Sequence, residues 1–170
     1  IGCSNYPAWR LMQALWASER HHLASFVSLQ PHYSLLNRAE YERELEDVCQ
    51  TYGLGVLPYS PLAGGFLSGK YKRGEPAPTP SRGATSRRLQ GYMKVERNWA
   101  LLDELRDLGA ARGKTTSQMA LGWLLARPTV TSPIIGPRTV EQLQDNLGAA
   151  GLRLDPPELA SIEALTTPAG

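Results

Sequence analysis

Short runs of β-forming residues alternate along this chain with longer segments whose hydrophobic residues recur at helical spacing. A helical segment follows each of four such runs, and one further helix and a helical tail complete the order. This repeated strand–helix order is typical of parallel strands joined by right-handed crossovers. The predicted strands are residues 1–3, 25–30, 55–59 and 130–135, and the predicted helices begin near residues 7, 37, 95, 115, 139 and 155.

Boundary residues support several of these helices. Residues 37–40 and 115–118 match the capping-box pattern, and Thr139 and Asp155 are placed to cap two later helices. Gly53 is expected to end the second helix in the left-handed conformation. The spacing predicts buried faces formed by Leu11, Met12, Leu15 and Trp16, by Leu45, Val48, Cys49 and Tyr52, by Met119, Ala120, Trp123 and Leu124, and by Val140, Leu143 and Leu147.

The segment 60–93 shows little periodicity and is predicted to be a long loop. A loop of this length within a compact chain is unusual and is often functional. The loop directly follows the third predicted strand and contains the adjacent glycines Gly64 and Gly65 and then Lys70. Adjacent glycines let the backbone approach a ligand and turn N–H groups toward it, and Lys70 offers a point charge for phosphate. An ordinary glycine-rich turn between a strand and a helix explains the same residues equally well.

Composition indicates one globular domain spanning residues 1–170, because 42% of the residues are hydrophobic and 20% are charged. A net charge of +2 is too small to suggest a nucleic-acid or membrane partner. The chain shows no apolar run of membrane-span length and no signal-peptide pattern, so a cytoplasmic protein is expected. Cys3 and Cys49 lack metal-ligand spacing and are expected to be buried thiols, and no metal site is predicted.

Polar residues follow the carboxyl end of every predicted strand. An open doubly wound sheet and a (β/α) barrel both fit the element order, but a barrel brings all four strand ends to one face. Such barrels hold their sites at that face and often bind phosphate in the loops after the last two strands. The residues concerned are Ser4, Asn5, Gln30, Tyr59, Ser60, Gly136 and Arg138.

Four stretches taken together resemble the second half of an aldo-keto reductase, in the branch with bacterial oxidoreductases and potassium-channel β subunits. They are IGCSNY from residue 1, LQPHYSLLNR from 29, LPYSPLAGGFLSGKY from 57 and PIIGPRTVEQLQDNLGA from 133. The resemblance implies the α/β class and the TIM (β/α)8 barrel fold. The chain would supply the last four βα units as a half-barrel, with an extra helix and a C-terminal helical tail. The implied activity is hydride transfer from NADPH to an aldehyde or ketone.

The resemblance also implies an NADP(H) site, with residues assigned by their positions in the matching stretches. Ser4, Asn5 and Gln30 would reach the nicotinamide carboxamide, and Tyr59 would stack on the nicotinamide ring. Ser60, Pro61, Leu62, Ala63 and Gly64 would form the loop over the pyrophosphate, with Lys70 as its cation and Arg82 over the dinucleotide. Gly136 and Arg138 would hold the adenosine 2′-phosphate, and Gln142, Asp145 and Asn146 would lie near the adenine ribose and ring.

The chain departs from the family in one respect that bears on activity. The family's catalytic Asp, Tyr, Lys and His come from the first half of the barrel, and no residue here matches them, so no catalytic residue is predicted. The missing initiator Met and the start within a predicted strand favour a fragment of an NADPH-dependent enzyme that does not reduce a carbonyl substrate by itself. The alternatives are a non-catalytic dinucleotide-binding or interaction module and a half-barrel. The open edges and apolar faces of a half-barrel would favour self-association.

Overall fold

A three-stranded parallel sheet organises the fold. The computed structural model describes residues 1–79 and 81–166, except for the side chain of Arg82. The strands lie in the order β1-β2-β3, and Leu29 on the central strand pairs with Cys3 on one side and Val56 on the other. The parallel order agrees with the predicted crossovers, although each strand is shorter than or shifted from its prediction. The strands are β1 (Gly2–Ser4), β2 (Ser28–Gln30) and β3 (Gly55–Val56).

The fourth predicted strand does not form as a continuous strand. Isolated parallel bridges join Val130 to Val56 and Ile134 to Tyr59. Pro133 lies between them and has no N–H to donate to a ladder, which explains why pairing is interrupted. The segment still lies beside β3, so it holds the fourth position in the order.

Helices follow the strands, and α6 packs against both α7 and α9. They are α1 (Ala8–Arg20), α2 (Ala39–Glu42), α3 (Leu45–Tyr52), α4 (Arg82–Thr85), α5 (Arg87–Met93), α6 (Glu96–Ala111), α7 (Thr116–Leu125), α8 (Val140–Leu147) and α9 (Pro156–Thr166).

Most predicted helix boundaries are confirmed, and one is wrong. Thr115 caps α7 in a reciprocal capping box, Thr139 caps α8, and Gly53 ends α3 with a φ of 64°. The capping box at residues 37–40 does not form, because α2 begins at Ala39 with Arg38 rather than Asn37 at the cap position. The side-chain amide of Asn37 instead donates to the carbonyl oxygen of His32 (2.9 Å). The predicted single helix is also divided into α2 and α3.

The predicted loop at 60–93 contains more regular structure than its sequence pattern indicated. Short 3₁₀ turns lie within Ala63–Ser68, interrupted by non-helical backbone at Gly64 and Gly65, and α4 and α5 follow them. Ser86 caps α5 by accepting a hydrogen bond from the amide of Leu89. Leu89 and Phe66 are buried in the hydrophobic core, so this segment is anchored by packing that a periodicity search over a long window does not detect.

A buried polar network ties the region of α2 to the end of α7. The Glu42 carboxylate accepts hydrogen bonds from the Tyr33 hydroxyl (2.7 Å), Arg38 Nε (2.8 Å) and Arg127 Nη2 (3.2 Å). Both guanidinium groups lie over the buried ring of Trp123, at 5.1 Å and 4.9 Å from its centroid. The network therefore satisfies its charges inside a packed aromatic cluster.

The predicted buried faces are only partly correct. Leu11 and Leu15 of α1 are buried, but Trp16 is 57% exposed. The apolar side chains of α8 are also exposed, with Val140 at 64% and Leu147 at 57%. Helical spacing shows which residues share a face, but it does not show what covers that face.

Both cysteines are free and buried, as predicted. Burial raises the pKa of the Cys49 thiol to about 11, so it remains protonated at neutral pH. Across residues 1–79 and 81–166, none of the helices has the length and hydropathy needed to cross a membrane.

Candidate functional site

A cavity of about 580 Å³, hereafter the larger cavity, opens at the carboxyl end of β3. Its wall combines the end of the third strand, the glycine-rich loop, the turn before α8 and the first turn of α7. Most of the predicted cofactor residues meet here. The lining comprises Tyr59, Ser60, Pro61, Leu62, Gly64, Gly65, Ser68, Lys70, Ser117, Ile134, Ile135, Gly136, Pro137, Arg138, Gln142, Asp145 and Asn146.

Tyr59 is held from three directions. Its amide donates to the carbonyl oxygen of Pro31 (3.0 Å), and its hydroxyl donates to Oδ1 of Asn5 (3.1 Å). Its ring stacks on His32 with centroids 5.1 Å apart and an interplanar angle of 16°. An aromatic ring fixed in this way offers a preformed flat surface at the cavity wall.

The glycine-rich loop has an unusual backbone. Ser60, Ala63, Gly64 and Gly65 all have positive φ values, from 50° at Ala63 to 100° at Gly65. Non-glycine residues adopt such values rarely, so the tight turn is imposed on the first two by their surroundings. The loop is therefore a specifically shaped segment rather than an unconstrained connection.

The amides of the two adjacent glycines are used within the loop. The N–H of Gly64 donates to Ser60 Oγ (3.2 Å), and that of Gly65 donates to the carbonyl oxygen of Leu62 (2.8 Å). The expectation that both amides turn toward a ligand is therefore wrong for this conformation. These bonds stabilise the turn, and Lys70 is a side chain of the loop that can pair with an anion.

Two exposed cations lie on the cavity wall, Lys70 and Arg138. The side chain of Lys70 passes close over Gly65, because a Cβ atom built on Gly65 would lie 3.2 Å from Lys70 Nζ. Arg138 immediately precedes the Thr139 cap of α8, and its amide donates to Gln142 Oε1 (2.9 Å). Positive side chains next to a helix N-terminus favour a bound anion.

Asp145 lies on the cavity wall but is also tied to α7. Its Oδ1 accepts hydrogen bonds from Thr115 Oγ1 (2.8 Å) and Gln118 Nε2 (3.1 Å). The same Gln118 amide donates to the carbonyl oxygen of Asp145 (2.8 Å). These bonds fix α8 against the start of α7, so at least one carboxylate oxygen of Asp145 serves the fold.

Five predicted residues lie outside this lining. Ser4 and Gln30 end adjacent strands, and Ser4 Oγ donates to the carbonyl oxygen of Gln30 (2.8 Å). Asn5 lines a second cavity of about 470 Å³, hereafter the smaller cavity, but reaches Tyr59 through its side chain. Ala63 is buried in the core, and the side chain of Arg82 lies outside the described structure.

The structure adds several side chains that the sequence did not indicate for the site, and two of them, Ser117 and His32, are buried. Ser117 is 5% exposed and lines the larger cavity from the first turn of α7. That turn contacts the glycine-rich loop, since a Cβ at Gly69 would lie 3.2 Å from Thr116 Oγ1. His32 is the second, because it stacks on Tyr59. The Thr115 cap predicts a helix start, but no local signal indicates what packs against it.

The chain is similar to known proteins along nearly its whole length. A family model described as "Aldo/keto reductase family" matches residues 1–167. The chain is 38% identical to "Uncharacterized oxidoreductase YrpG" of Bacillus subtilis over 155 residues, covering 91% of this chain and 45% of that protein. It is 39% identical to "L-glyceraldehyde 3-phosphate reductase" of Escherichia coli over 166 residues, covering 96% of this chain and 48% of that protein.

A third relative, "Putative voltage-gated potassium channel subunit beta" of Schizosaccharomyces pombe, is 32% identical over 170 residues, covering 96% of this chain and 49% of that protein. The chain thus spans about half the length of the curated relatives it matches. The family has the TIM-barrel type of α/β fold, with which the parallel sheet is consistent. From the match across residues 1–167, the chain belongs to the aldo/keto reductase family.

Proposed function

We propose that this chain is the cofactor-binding half of an NADPH-dependent aldo-keto reductase that reduces a small aldehyde or ketone. The observation that carries the proposal is the larger cavity. One continuous wall combines an immobilised aromatic ring, two cations and the N-terminus of α8. A dinucleotide with a flat ring at one end and phosphates along its length requires this combination of surfaces.

The chemistry of the wall fits NADPH. Tyr59 would carry the nicotinamide ring, with Asn5 and Gln30 at the neighbouring strand ends for its carboxamide, since an amide requires both a donor and an acceptor. Lys70 would pair with the pyrophosphate. Arg138 would hold the 2′-phosphate beside the first turn of α8. When bound, NADPH would supply a hydride to the carbonyl carbon of the substrate.

The chain's own contribution in this proposal is binding and orientation. Its residues hold the dinucleotide, while no residue matches the family's proton-donating Tyr or the Lys beside it. A general acid contributes typically 10²–10⁴-fold to such reactions. We therefore assign the proton-transfer step to a further part of the complete enzyme, in keeping with the chain's span of about half its relatives' length.

We also infer that the four strand positions form half of the family's barrel. The support is the parallel order of β1, β2 and β3, with the bridging segment beside β3 and polar residues at the same edge. In such barrels the site lies at the carboxyl ends of the strands.

Removal of the Arg138 guanidinium tests the proposed function. We expect Arg138→Ala to weaken NADPH binding by about ten- to a hundredfold, because a hydrogen bond to a charged group contributes about 1.5–3 kcal/mol. NADH lacks the 2′-phosphate, so its affinity should change little. The measurement is titration of each nucleotide by quenching of tryptophan fluorescence.

Arg153→Ala is the matched control, since Arg153 is also exposed but does not line the larger cavity. It should change neither affinity. Equal losses for NADPH and NADH in Arg138→Ala would contradict the assignment of Arg138 to the 2′-phosphate. If the unaltered chain binds neither NADPH nor NADH, the proposed function is contradicted.

A further inference from the structure

The larger and smaller cavities are each lined by one ring of a stacked pair. Tyr59 lines the larger cavity, and His32 lines the smaller one. The two residues also form a parallel backbone bridge between the segments that follow β2 and β3. The stacked pair therefore joins two neighbouring strand ends through both backbone and side chains.

The geometry is that of a supported ring. The centroid distance of 5.1 Å and the interplanar angle of 16° lie within the range of offset-stacked aromatic pairs. The hydroxyl of Tyr59 is held separately by Oδ1 of Asn5, whose φ of 56° is uncommon for a non-glycine residue. The stack constrains the orientation of the ring plane, and the hydrogen bond constrains the position of the hydroxyl at the far end of the ring.

His32 itself is placed to act as a flat, uncharged support. Its side chain is only 7% exposed, and its Nε2 has no hydrogen-bond partner among the residues that the structure describes. Burial lowers the pKa of His32, the nearby charge of Arg88 lowers it further, and Glu40 acts weakly in the opposite direction. A lowered pKa favours the uncharged imidazole at neutral pH.

We propose that His32 is a positioning residue that fixes the Tyr59 ring as a preorganised face for the nicotinamide ring of the cofactor. The proposal rests on the proposed function, because it assigns the nicotinamide to Tyr59. A tyrosine that must be ordered by the ligand loses side-chain entropy on binding, whereas a ring already held by His32 has lost it in folding. His32 therefore contributes to affinity without touching the dinucleotide.

Two ligands separate positioning from general structural damage. NADPH carries the nicotinamide ring, and adenosine 2′,5′-bisphosphate carries only the end of the molecule assigned to Arg138. Isothermal titration calorimetry gives the affinity of each for the unaltered chain and for His32→Ala, His32→Phe and Tyr59→Ala. We expect His32→Ala to weaken NADPH about two- to tenfold, the range for loss of an aromatic pair, with bisphosphate unchanged.

His32→Phe keeps a flat ring and should restore most of the NADPH affinity. Tyr59→Ala should weaken NADPH at least as much as His32→Ala, again without affecting the bisphosphate. A variant that carries both His32→Ala and Tyr59→Ala should lose no more NADPH affinity than Tyr59→Ala alone, because His32 acts only through Tyr59. If His32→Ala does not fold, the NADPH affinities of His32→Leu and His32→Phe are compared instead. The variant with a ring at position 32 should bind NADPH more tightly than the variant with an aliphatic side chain.

The outcomes distinguish the two proposals. Equal losses of both ligands in His32→Ala would show a purely structural role and overturn the inference, as would an unchanged NADPH affinity. In either case the proposed function stands if the unaltered chain binds both ligands and Arg138→Ala weakens both. If the unaltered chain binds neither ligand, both the proposed function and the inference that rests on it are overturned.

Discussion

Glu42 carries its charge in a largely buried position where two guanidinium groups converge on it. Its side chain is 15% exposed, and Arg38 and Arg127 both lie within hydrogen-bond distance. Burial acts to raise the pKa of Glu42, but the hydrogen bonds from Arg38 and Tyr33 and the two positive charges outweigh it. The pKa therefore lies below its ordinary value of 4.5.

Glu42→Gln tests this network through its pH dependence. Because the folded pKa lies below the unfolded one, the ion pairs stabilise the fold above about pH 4.5 and lose that contribution as pH falls through the lowered pKa. We expect the variant to lose about 3 kcal/mol of unfolding free energy at pH 7, because the buried Arg38 loses the carboxylate that it pairs with, whereas Arg127 keeps its ion pair with Glu163 (2.8 Å). The difference should shrink on acidification.

Urea denaturation from pH 7 to pH 3 measures this difference. Glu44→Gln is the matched control, because Glu44 is exposed and lies two residues further along the chain. It should change the unfolding free energy by less than about 0.5 kcal/mol. A Glu42→Gln deficit that persists unchanged at pH 3 would show that packing rather than charge accounts for its effect.

At the level of elements, the first turn of α7 also fixes the position of α8. Gln118 completes the α7 capping box by accepting a hydrogen bond from the amide of Thr115 (3.2 Å), and its other terminal atom donates to Asp145 on α8. One side chain thus caps one helix and holds a second. Because Arg138 precedes α8 directly, this contact also sets where its guanidinium can lie.

Gln118→Ala should therefore weaken both the fold and the site. We expect a loss of about 1–2 kcal/mol of unfolding free energy, from one cap interaction and one interhelical hydrogen bond. Thermal unfolding followed by circular dichroism measures it. Gln144→Ala is the control, since Gln144 is exposed on α8. Equal stabilities of the two variants would show that the Gln118 hydrogen bonds between α7 and α8 do not stabilise the fold.

At the level of the whole molecule, several large apolar side chains are exposed together on and next to α1. Trp9 is 65% exposed, Trp16 57% and Leu23 62%, all on or next to α1. Within residues 1–79 and 81–166, no strand pairs with the outer edge of β1. Exposed apolar side chains and an open sheet edge both favour association, so we propose that the chain self-associates.

Multi-angle light scattering over a range of micromolar concentrations tests this association. We expect dimers or larger species whose share rises with concentration. Trp9→Glu combined with Trp16→Glu should shift the distribution toward monomers, because it places charge on the exposed face of α1. A monodisperse monomer of the unaltered chain throughout the range would contradict the proposal.

Local chemistry in the sequence was sufficient for several features of this protein. The Thr115 and Thr139 caps and the turn at Gly53 depend on neighbouring residues, so their signals lie within a few positions of one another. The parallel order of strands follows from the strand–helix alternation. The motifs of the four matching stretches also led to the family, because they combine side-chain type with spacing along the chain.

Tertiary packing decided the remaining features, because they depend on residues far apart in sequence. Asn37 has the identity of a cap residue, yet its amide binds the backbone at His32 where the chain folds back. The glycine amides of the loop are used by that loop, and the apolar face of α8 is left uncovered. The placement of His32 behind Tyr59 likewise arises only when two separate strand ends lie side by side, a relation that no local pattern contains.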